Sequence, residues 1–379
     1  MKKKVLALLV SAAMAAAVMA PAAFAGETEA ATEGEVATAS AQEDPFADLE
    51  AKGDYNIIVI VKGTSSDFWR AAMKGAEDEG ERLGIKVTCQ GPSDNTAIAD
   101  QVQILNNAIN SKPTGIALAA SDANAVMDSL NTAKDAGIPL VCFNSGVANA
   151  PEGTVLATAS TDNYLAGATA AEHLYDALKD KIASADAPVR IGVVNQDATS
   201  DSVINRGLGF IDKMCELVAA DGKAAAVTGS DKYVSDAKDA GDESSADVVI
   251  EVRVPSQATS ELCATEAAAL LNEGDLIGIM GTNEETASGI ITADENIGKL
   301  GNDVLGVGFD SSAALCNAVK NNVLLGAVTQ TPVYQGKVAV DLLVAYANGD
   351  EIADMNTPAY WYDSSNMDSE EVAPNLITK

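Results

Sequence analysis

The sequence predicts an α/β fold made of two doubly wound parallel-sheet lobes of the Rossmann-like kind. The chain has 379 residues, which is long for one domain and suits two domains of ordinary size. Apolar side chains make up 47% of the residues, so the chain can bury a large core. From residue 56 onward, short apolar runs alternate with helical patterns, which is typical of repeated β-α-β units. These runs give more strands than a (β/α)₈ barrel holds, and that barrel stays as the alternative architecture.

Residues 1–25 are predicted to be a secretory signal peptide. Three lysines at 2–4 precede an apolar run, and Ala23, Phe24 and Ala25 form a small-x-small cleavage pattern. A retained membrane anchor is the alternative, but the apolar run is short and a proline interrupts it. We therefore expect export to the periplasm or to the outer face of the cell membrane.

The chain after the signal divides into a spacer and a regular body. Residues 26–53 are acidic and poor in large apolar side chains, which predicts a disordered spacer. In the body, continuous apolar runs indicate strands buried on both faces, and apolar residues at three- and four-residue spacing indicate helices. Residues 221–247 interrupt this alternation and are interpreted as a surface insertion. In chain order, strands are predicted over 56–61, 85–89, 115–120, 138–143, 155–159, 190–194, 248–254, 276–281, 304–309 and 324–329, and helices over 66–83, 96–111, 123–136, 164–179, 203–219, 261–272, 285–294, 313–321 and 333–348.

Composition excludes several classes of function. Lys and Arg number 24 against 55 Asp and Glu, so the net charge is −31 and a nucleic-acid partner is not expected. The five cysteines are odd in number and scattered, which predicts neither a disulfide framework nor a metal cluster; Cys215 with Cys263 is the one pairing considered. The single histidine, His173, lies inside a helical pattern and is expected at the surface. We predict no catalytic residue, no metal and no cofactor, and hence no enzyme.

Polar side chains follow the predicted strands, where an open parallel sheet binds its ligands. Amides, carboxylates and an arginine can hold hydroxyl groups, and aromatic rings can cover the C–H faces of a sugar ring. The pattern therefore favours a sugar site. The candidate ligand-binding residues are Ser66, Phe68, Trp69, Asp122, Asn144, Arg206, Asn283, Asp310 and Gln330.

Each candidate also has a structural alternative. Ser66 and Asp310 could be helix N-caps, which strand-to-helix turns need. Phe68 or Trp69 could belong to the core, and Arg206 could form a surface ion pair. A secreted glycosidase is the alternative of the enzyme class, and it would need two carboxylates in one cleft.

Seven short strings together resemble the type I periplasmic binding proteins of sugar ABC transporters, in the ribose-binding class. The resemblance covers residues 55–379, and the strings follow the order of that family. They are Phe68-Trp69, IPLVCFNSG (138–146), STDNYLAG (160–167), NRGLGF (205–210), GTNEETASG (281–289), VGFDSS (307–312) and AVTQTPVYQG (327–336).

The resemblance implies two lobes joined by three crossovers, near 161–162, near 330–331 and near residue 360. It assigns residues 54–161 and 331–359 to an N-terminal lobe, and 162–330 and 360–379 to a C-terminal lobe. Phe68 and Trp69 would stack on the ligand ring. The implied partners of its hydroxyl groups are Asn144, Arg206, Asn283, Asp310 and Gln330.

The function implied is capture of a small neutral sugar, polyol or sugar-like ligand between closing lobes, by a monomer that delivers it to a membrane ABC permease. A sensory protein that feeds a chemoreceptor or a two-component system is the alternative, because it shares the binding step and differs in its docking partner.

Four positions depart from the ribose-binding pattern. Asn144 and Ser145 stand where ribose binders have an Asp-Arg pair, and Ala119 and Ser66 each stand where they have Asn. The first lobe is therefore poorer in polar partners than a ribose site. A larger sugar, a deoxy-sugar, a nucleoside or a furanone-type signal stays open. One arginine, Arg206, among several acids disfavours a strongly anionic ligand.

Overall fold

The computed structural model describes residues 44–378. Of these, residues 44–49 belong to one compact unit, and residues from Glu50 onward form another. The expected signal peptide, and the expected spacer up to residue 43, lie outside the described residues. The spacer was expected to run to residue 53, but the Asn348 side chain donates to the Glu50 carbonyl and accepts from the Lys52 amide. The ordered body therefore begins before residue 54.

One sheet has six strands, and all of its described strand pairs are parallel. Its order is β12-β5-β4-β3-β1-β2, with β1 at Asn56–Ile60, β2 at Lys86–Gln90, β3 at Gly115–Leu118, β4 at Leu140–Phe143, β5 at Thr158–Ser160 and β12 at Met355–Asn356. The helices of this lobe, called the N-lobe below, are α1 (Asp67–Leu83), α2 (Ile98–Asn110), α3 (Met127–Asp135) and α10 (Pro332–Asn348).

The second sheet has seven strands in the order β13-β11-β10-β9-β6-β8-β7. They are β6 (Val189–Val194), β7 (Ala225–Gly229), β8 (Val248–Arg253), β9 (Leu276–Gly281), β10 (Leu305–Phe309), β11 (Gly326–Gln330) and β13 (Ala359–Tyr362). The helices of this lobe, the C-lobe, are α4 (Asn163–Ala183), α5 (Asp201–Ala220), α6 (Asp231–Asp236), α7 (Ser260–Leu271), α8 (Glu284–Asp294) and α9 (Ala313–Lys320).

The chain passes between the two sheets three times: between β5 and α4, between β11 and α10, and between β12 and β13. The predicted fold class, two doubly wound lobes joined by three crossovers, is confirmed. The second sheet is not purely parallel, because β13 pairs antiparallel with β11 at its edge.

The two lobes repeat one design. The order β4-β3-β1-β2 in the first sheet corresponds to β10-β9-β6-β8 in the second. α1 follows β1 as α5 follows β6, and both helices begin at the cleft. Corresponding residues of the two lobes therefore face each other, which explains why both contribute to one site.

Two helix pairs hold this design together by close backbone contact. In the N-lobe, a Cβ added at Gly336 of α10 would lie 1.9 Å from the Ala72 carbonyl oxygen of α1. In the C-lobe, a Cβ at Gly167 of α4 would lie 2.0 Å from the Arg206 carbonyl oxygen of α5. α10 and α4 both begin directly after a crossover, and they pack closely on α1 and α5, which carry residues of the cleft.

The interpretation of residues 221–247 as a surface insertion was wrong. They contain β7, which pairs in parallel with β8 from Ala225–Val248 to Gly229–Val252 and extends the second sheet by one strand. The considered Cys215–Cys263 bridge is also not formed, since both side chains are free thiols.

Candidate ligand-binding site

A small cavity lies between the two lobes, at the carboxyl ends of the strands. Both lobes contribute polar side chains, and the N-lobe adds an aromatic wall. The lining residues are Lys62, Ser66, Phe68, Trp69, Asn95, Asn144, Gln196, Ser202, Val203, Arg206, Asn283, Glu285, Asp310 and Gln330.

Eight of the nine candidate residues line this cavity, and Asp122 does not. The Asp122 carboxylate instead accepts hydrogen bonds from the backbone amides of Asn124 (2.8 Å) and Ala125 (2.9 Å). It therefore stabilises the turn that precedes α3, which is the ordinary task of an aspartate at such a turn.

Phe68 and Trp69 form the aromatic wall at the start of α1. Their ring centroids lie 4.9 Å apart in an edge-to-face arrangement, and Trp69 also meets Phe143 edge to face at 6.3 Å. Trp69 is only 4% exposed. The Ser66 hydroxyl accepts a hydrogen bond from the Trp69 amide, so Ser66 is both the N-cap of α1 and part of the cavity lining.

Asp310 is held at the end of β10 with its carboxylate inside the cavity. One oxygen accepts from the Gln330 side-chain amide at 2.7 Å, and the other from the Glu284 backbone amide at 3.2 Å. The alternative that Asp310 caps α9 is wrong, because Ser312 caps that helix at Leu315. Burial raises the pKa of the Asp310 carboxyl, and the nearby Arg206 opposes that rise.

Asn144 is the counterpart of Asp310 in the other lobe. Both follow a phenylalanine at a strand end, and both adopt a left-handed backbone, with φ of 60° at Asn144 and 68° at Asp310. The Asn144 amide donates to the side-chain oxygens of Gln330 (3.3 Å) and Gln335 (3.1 Å). Gln330 thus connects both counterparts at the second crossover.

Arg206 is buried under the cavity and is not a surface ion pair. Its guanidinium lies 3.6 Å above the Phe309 ring centroid and donates to the Thr282 carbonyl (2.5 Å) and the Asn163 side-chain oxygen (2.8 Å). Its Nε finds no hydrogen-bond partner among residues 44–378. Burial lowers the pKa of Arg206 to about 10, against the attraction of Asp310.

Lys62 is a second cation in the cavity that the sequence analysis missed. Its ammonium donates to the hydroxyls of Ser202 (3.0 Å) and Ser200, both from the opposite lobe. Burial lowers the pKa of Lys62 to about 8, while Asp197 opposes the shift. The site therefore holds a lysine in addition to the one arginine that the sequence analysis counted.

Glu285, Asn95 and Gln196 form a second polar cluster that sequence reasoning did not assign to the site. The Asn95 amide donates to Glu285 at 2.8 Å and to Gln196 at 3.2 Å, and both bonds join the two lobes. The Asn95 side-chain oxygen is buried without a hydrogen-bond partner among the described residues. Burial raises the pKa of Glu285 to about 8, and the carboxylate of Glu284 adds to the rise.

Asn283 combines two tasks. Its side-chain oxygen caps α8 at the Thr286 amide (3.2 Å), and its amide donates to Gln196 at 2.5 Å within the cavity lining. Ser202 and Val203, at the start of α5, complete the site opposite Phe68 and Trp69.

The part of the chain that the structure describes contains no cluster of potential metal ligands. Nor does it contain a helix that is long and apolar enough to cross a membrane.

A two-lobed α/β body with a buried polar and aromatic cavity at its strand ends defines a cleft-type ligand-binding protein. Comparison with known proteins identifies the family. Residues 57–351 match the periplasmic binding protein domain, and the chain belongs to that family.

Its relatives include sugar-binding proteins. The chain is 25% identical over 292 residues to the ribose import binding protein RbsB of Bacillus subtilis (strain 168). This match covers 76% of this chain and 81% of the relative. It is similar to an ABC transporter solute-binding protein from Agrobacterium vitis solved with bound D-fucose, with 28% identity, a TM-score of 0.70, and 85% and 99% coverage of the two chains. A protein from Brachyspira murdochii, described as an ABC transporter, LacI family transcriptional regulator, is 32% identical with a TM-score of 0.69, and 85% and 98% of the two chains are covered.

Proposed function

We propose that this protein captures a small neutral sugar or sugar-like ligand between its two lobes and delivers it to a membrane ABC permease. One observation carries the proposal: a buried donor, Arg206 Nε, and a buried acceptor, the Asn95 side-chain oxygen, have no hydrogen-bond partner among residues 44–378, and both residues line the cavity. A hydroxyl group can both donate and accept, so a polyhydroxylated ring satisfies both atoms. Such orphaned buried groups are costly unless a ligand pairs with them.

The charges of the cavity fit a neutral ligand. Lys62 and Arg206 bring positive charge and the Asp310 carboxylate brings negative charge, while Glu285, whose pKa burial raises to about 8, adds a neutral carboxyl below that pH. The two signs are therefore interspersed around the ligand and favour oriented hydroxyl groups over a net charge. Bound D-fucose in the Agrobacterium vitis relative and ribose import by the Bacillus subtilis relative support the same ligand class.

Binding follows from lobe closure. We infer that residues 54–161 with 331–359 move as one lobe against 162–330 with 360–379, about the three crossovers. Ligand adds contacts in the closed conformation and shifts the population toward it. The closed conformation then docks on the permease as a monomer, and no covalent chemistry is needed.

Export is part of the proposal. The basic residues at 2–4 and the Ala23-Phe24-Ala25 pattern support removal of a signal peptide before Gly26. N-terminal sequencing of the secreted protein should begin at Gly26, and a chain that begins at Met1 would contradict this step.

A thermal-shift screen tests the ligand class. The panel holds D-fucose, D-arabinose, D-tagatose and D-ribose, with an anionic sugar acid for comparison. A true ligand at about 100 times its Kd adds about 2.7 kcal/mol of stability and raises the melting temperature measurably. The Asp122→Asn variant is the matched control, because Asp122 lies outside the cavity and should leave the shift unchanged. A panel in which none of the four neutral monosaccharides raises the melting temperature would contradict the proposal.

A further inference from the structure

Two consecutive glutamates at the start of α8, in the C-lobe, accept hydrogen bonds from the N-lobe, one from a side chain and the other from backbone amides. Glu285 lines the cavity and accepts a hydrogen bond from the Asn95 side-chain amide. Glu284 is not among the residues that line the cavity; its two carboxylate oxygens accept from the backbone amides of Asp67 (3.2 Å) and Phe68 (3.0 Å). We call this contact between Glu284 and the first turn of α1 the interlobe cap.

The interlobe cap supplies what α1 lacks. The first amides of a helix have no partner within the helix and carry its positive dipole end. Ser66 satisfies the Trp69 amide, which leaves those of Asp67 and Phe68 to Glu284. Caps normally come from the residues just before the helix. Here the partner belongs to the opposite lobe, so both amides have this carboxylate only while the lobes are together.

The interlobe cap also connects directly to the site. The Glu284 backbone amide donates to Asp310, a residue of the cavity. On the other side, Phe68 gives its amide to Glu284 and its ring to the aromatic wall. Phe68 thus connects the Glu284 carboxylate of the C-lobe to the aromatic wall of the N-lobe.

We propose that Glu284 is a positioning residue that stabilises the closed conformation by capping α1 from the opposite lobe, and so sets ligand affinity without touching the ligand. Opposing effects act on the ionised form of Glu284, so the contact is not overwhelmingly favourable. Two charge-assisted hydrogen bonds stabilise the ionised carboxylate. Its burial and the neighbouring carboxylates of Asp310 and Asp67 destabilise that form and raise the pKa of Glu284 to about 7. A balanced contact lets the lobes reopen, as release to a partner requires.

The chain offers its own reporters of closure, because it contains two tryptophans. Trp69 lies next to Phe68 on α1, beside the interlobe cap. Trp361 stacks on His173 within the C-lobe, with ring centroids 3.9 Å apart, and serves as the internal reference. Labelling with 5-fluorotryptophan gives one ¹⁹F signal for each, and Trp361→Phe assigns them.

The test compares Glu284→Gln with Glu261→Gln in the ligand-free, full-length mature protein. Glu261 is the matched control, since it lies in the first turn of the C-lobe helix α7 and is exposed. We expect Glu284→Gln to move the Trp69 signal toward a solvent-exposed position, while the Trp361 signal and the spectrum of Glu261→Gln stay unchanged. A Trp69 signal that is the same in Glu284→Gln as in the wild type overturns the proposal.

A second arm measures affinity and rests on the proposed function. For the panel sugar with the largest thermal shift, Glu284→Gln should weaken binding about tenfold without changing the order of preference among the sugars. A changed order of preference would mean that Glu284 touches the ligand and would overturn the proposal. If no panel sugar binds the wild type, the proposed function fails, and the ligand-free ¹⁹F comparison still decides the role of Glu284.

Discussion

Asp310 is available for ligand binding because another residue caps the helix that follows it. Its backbone is left-handed at φ 68°, and Ser312 performs the capping of α9. Its carboxylate therefore has a ligand-facing position with two protein donors among the described residues, from Gln330 and Glu284. Asparagine tolerates the left-handed backbone well, so Asp310→Asn keeps the backbone while it removes the charge and replaces one acceptor oxygen by an NH₂ donor.

We expect Asp310→Asn to weaken ligand binding at least tenfold, about 1.4 kcal/mol, because it removes the charge that strengthens hydrogen bonds to hydroxyls. The melting temperature of the ligand-free protein should change little. Calorimetric titration and ligand-free melting measure the two quantities separately. Unchanged affinity combined with a melt lower by several degrees would show that Asp310 is structural.

Glu285 predicts a pH dependence of stability. Burial raises its pKa from an ordinary 4.5 to about 8, with Glu284 and Asp310 adding to the rise and the Asn95 hydrogen bond opposing it. The folded chain therefore binds more protons than the unfolded chain between these two values, so stability falls as pH rises. The contribution is fully present below about 4.5 and is lost as pH passes through about 8.

Urea unfolding at pH 5 and pH 8 measures this difference, with Glu285→Gln as the comparison. The free energy of unfolding of the wild type should fall more steeply between these values than that of the variant. Parallel pH profiles would mean that Glu285 is not buried as a neutral carboxyl.

At the scale of single residues, the sequence predicted the cavity-lining residues well where they follow the carboxyl ends of parallel strands. Asn144, Asn283, Asp310 and Gln330 were found this way, since parallel strands end at one edge. Lys62 lies two residues after β1, but a buried lysine is not expected next to an apolar run. Its partners, Ser200 and Ser202, come from the other lobe, which spacing along the chain does not reveal.

At the scale of elements, the long apolar runs predicted the central strands because both of their faces are buried. Edge strands carry weaker patterns, and three of them show it. β7 was taken as part of an insertion, β12 has two residues and gave no pattern, and β13 was missed as an antiparallel return. Tertiary pairing, and not local preference, decides these edges.

The glycine contacts between helices give a prediction at this scale. Gly336→Ala places a Cβ 1.9 Å from the Ala72 carbonyl oxygen, so α10 and α1 must separate. We expect a loss of about 1–3 kcal/mol in the free energy of unfolding. Gly274→Ala is the matched control, because no atom lies within 4 Å of the added Cβ.

Chemical denaturation of both variants measures the difference. Gly274→Ala should unfold like the wild type, and equal midpoints for both variants would contradict the close packing of α1 on α10.

At the scale of the whole molecule, the two lobes meet through polar contacts whose partners come from opposite sides. Lys62 with Ser202, Asn95 with Glu285, and the interlobe cap are three such contacts. Hydrogen bonds of this kind exchange readily with water when the lobes part, so each adds little net stability. A ligand that joins the same network adds to it only in the closed conformation, so binding raises a closed population that the ligand-free protein already holds.

A crystal structure of the protein with the sugar that gives the largest thermal shift tests ligand capture most directly. We expect the sugar ring between the lobes against Trp69, with hydroxyl groups on Arg206 Nε and on the Asn95 side-chain oxygen. We also expect hydroxyl contacts to Asp310. A sugar bound outside the cavity, or a closed cavity that holds only water at saturating sugar, would show that the cleft does not capture the sugar.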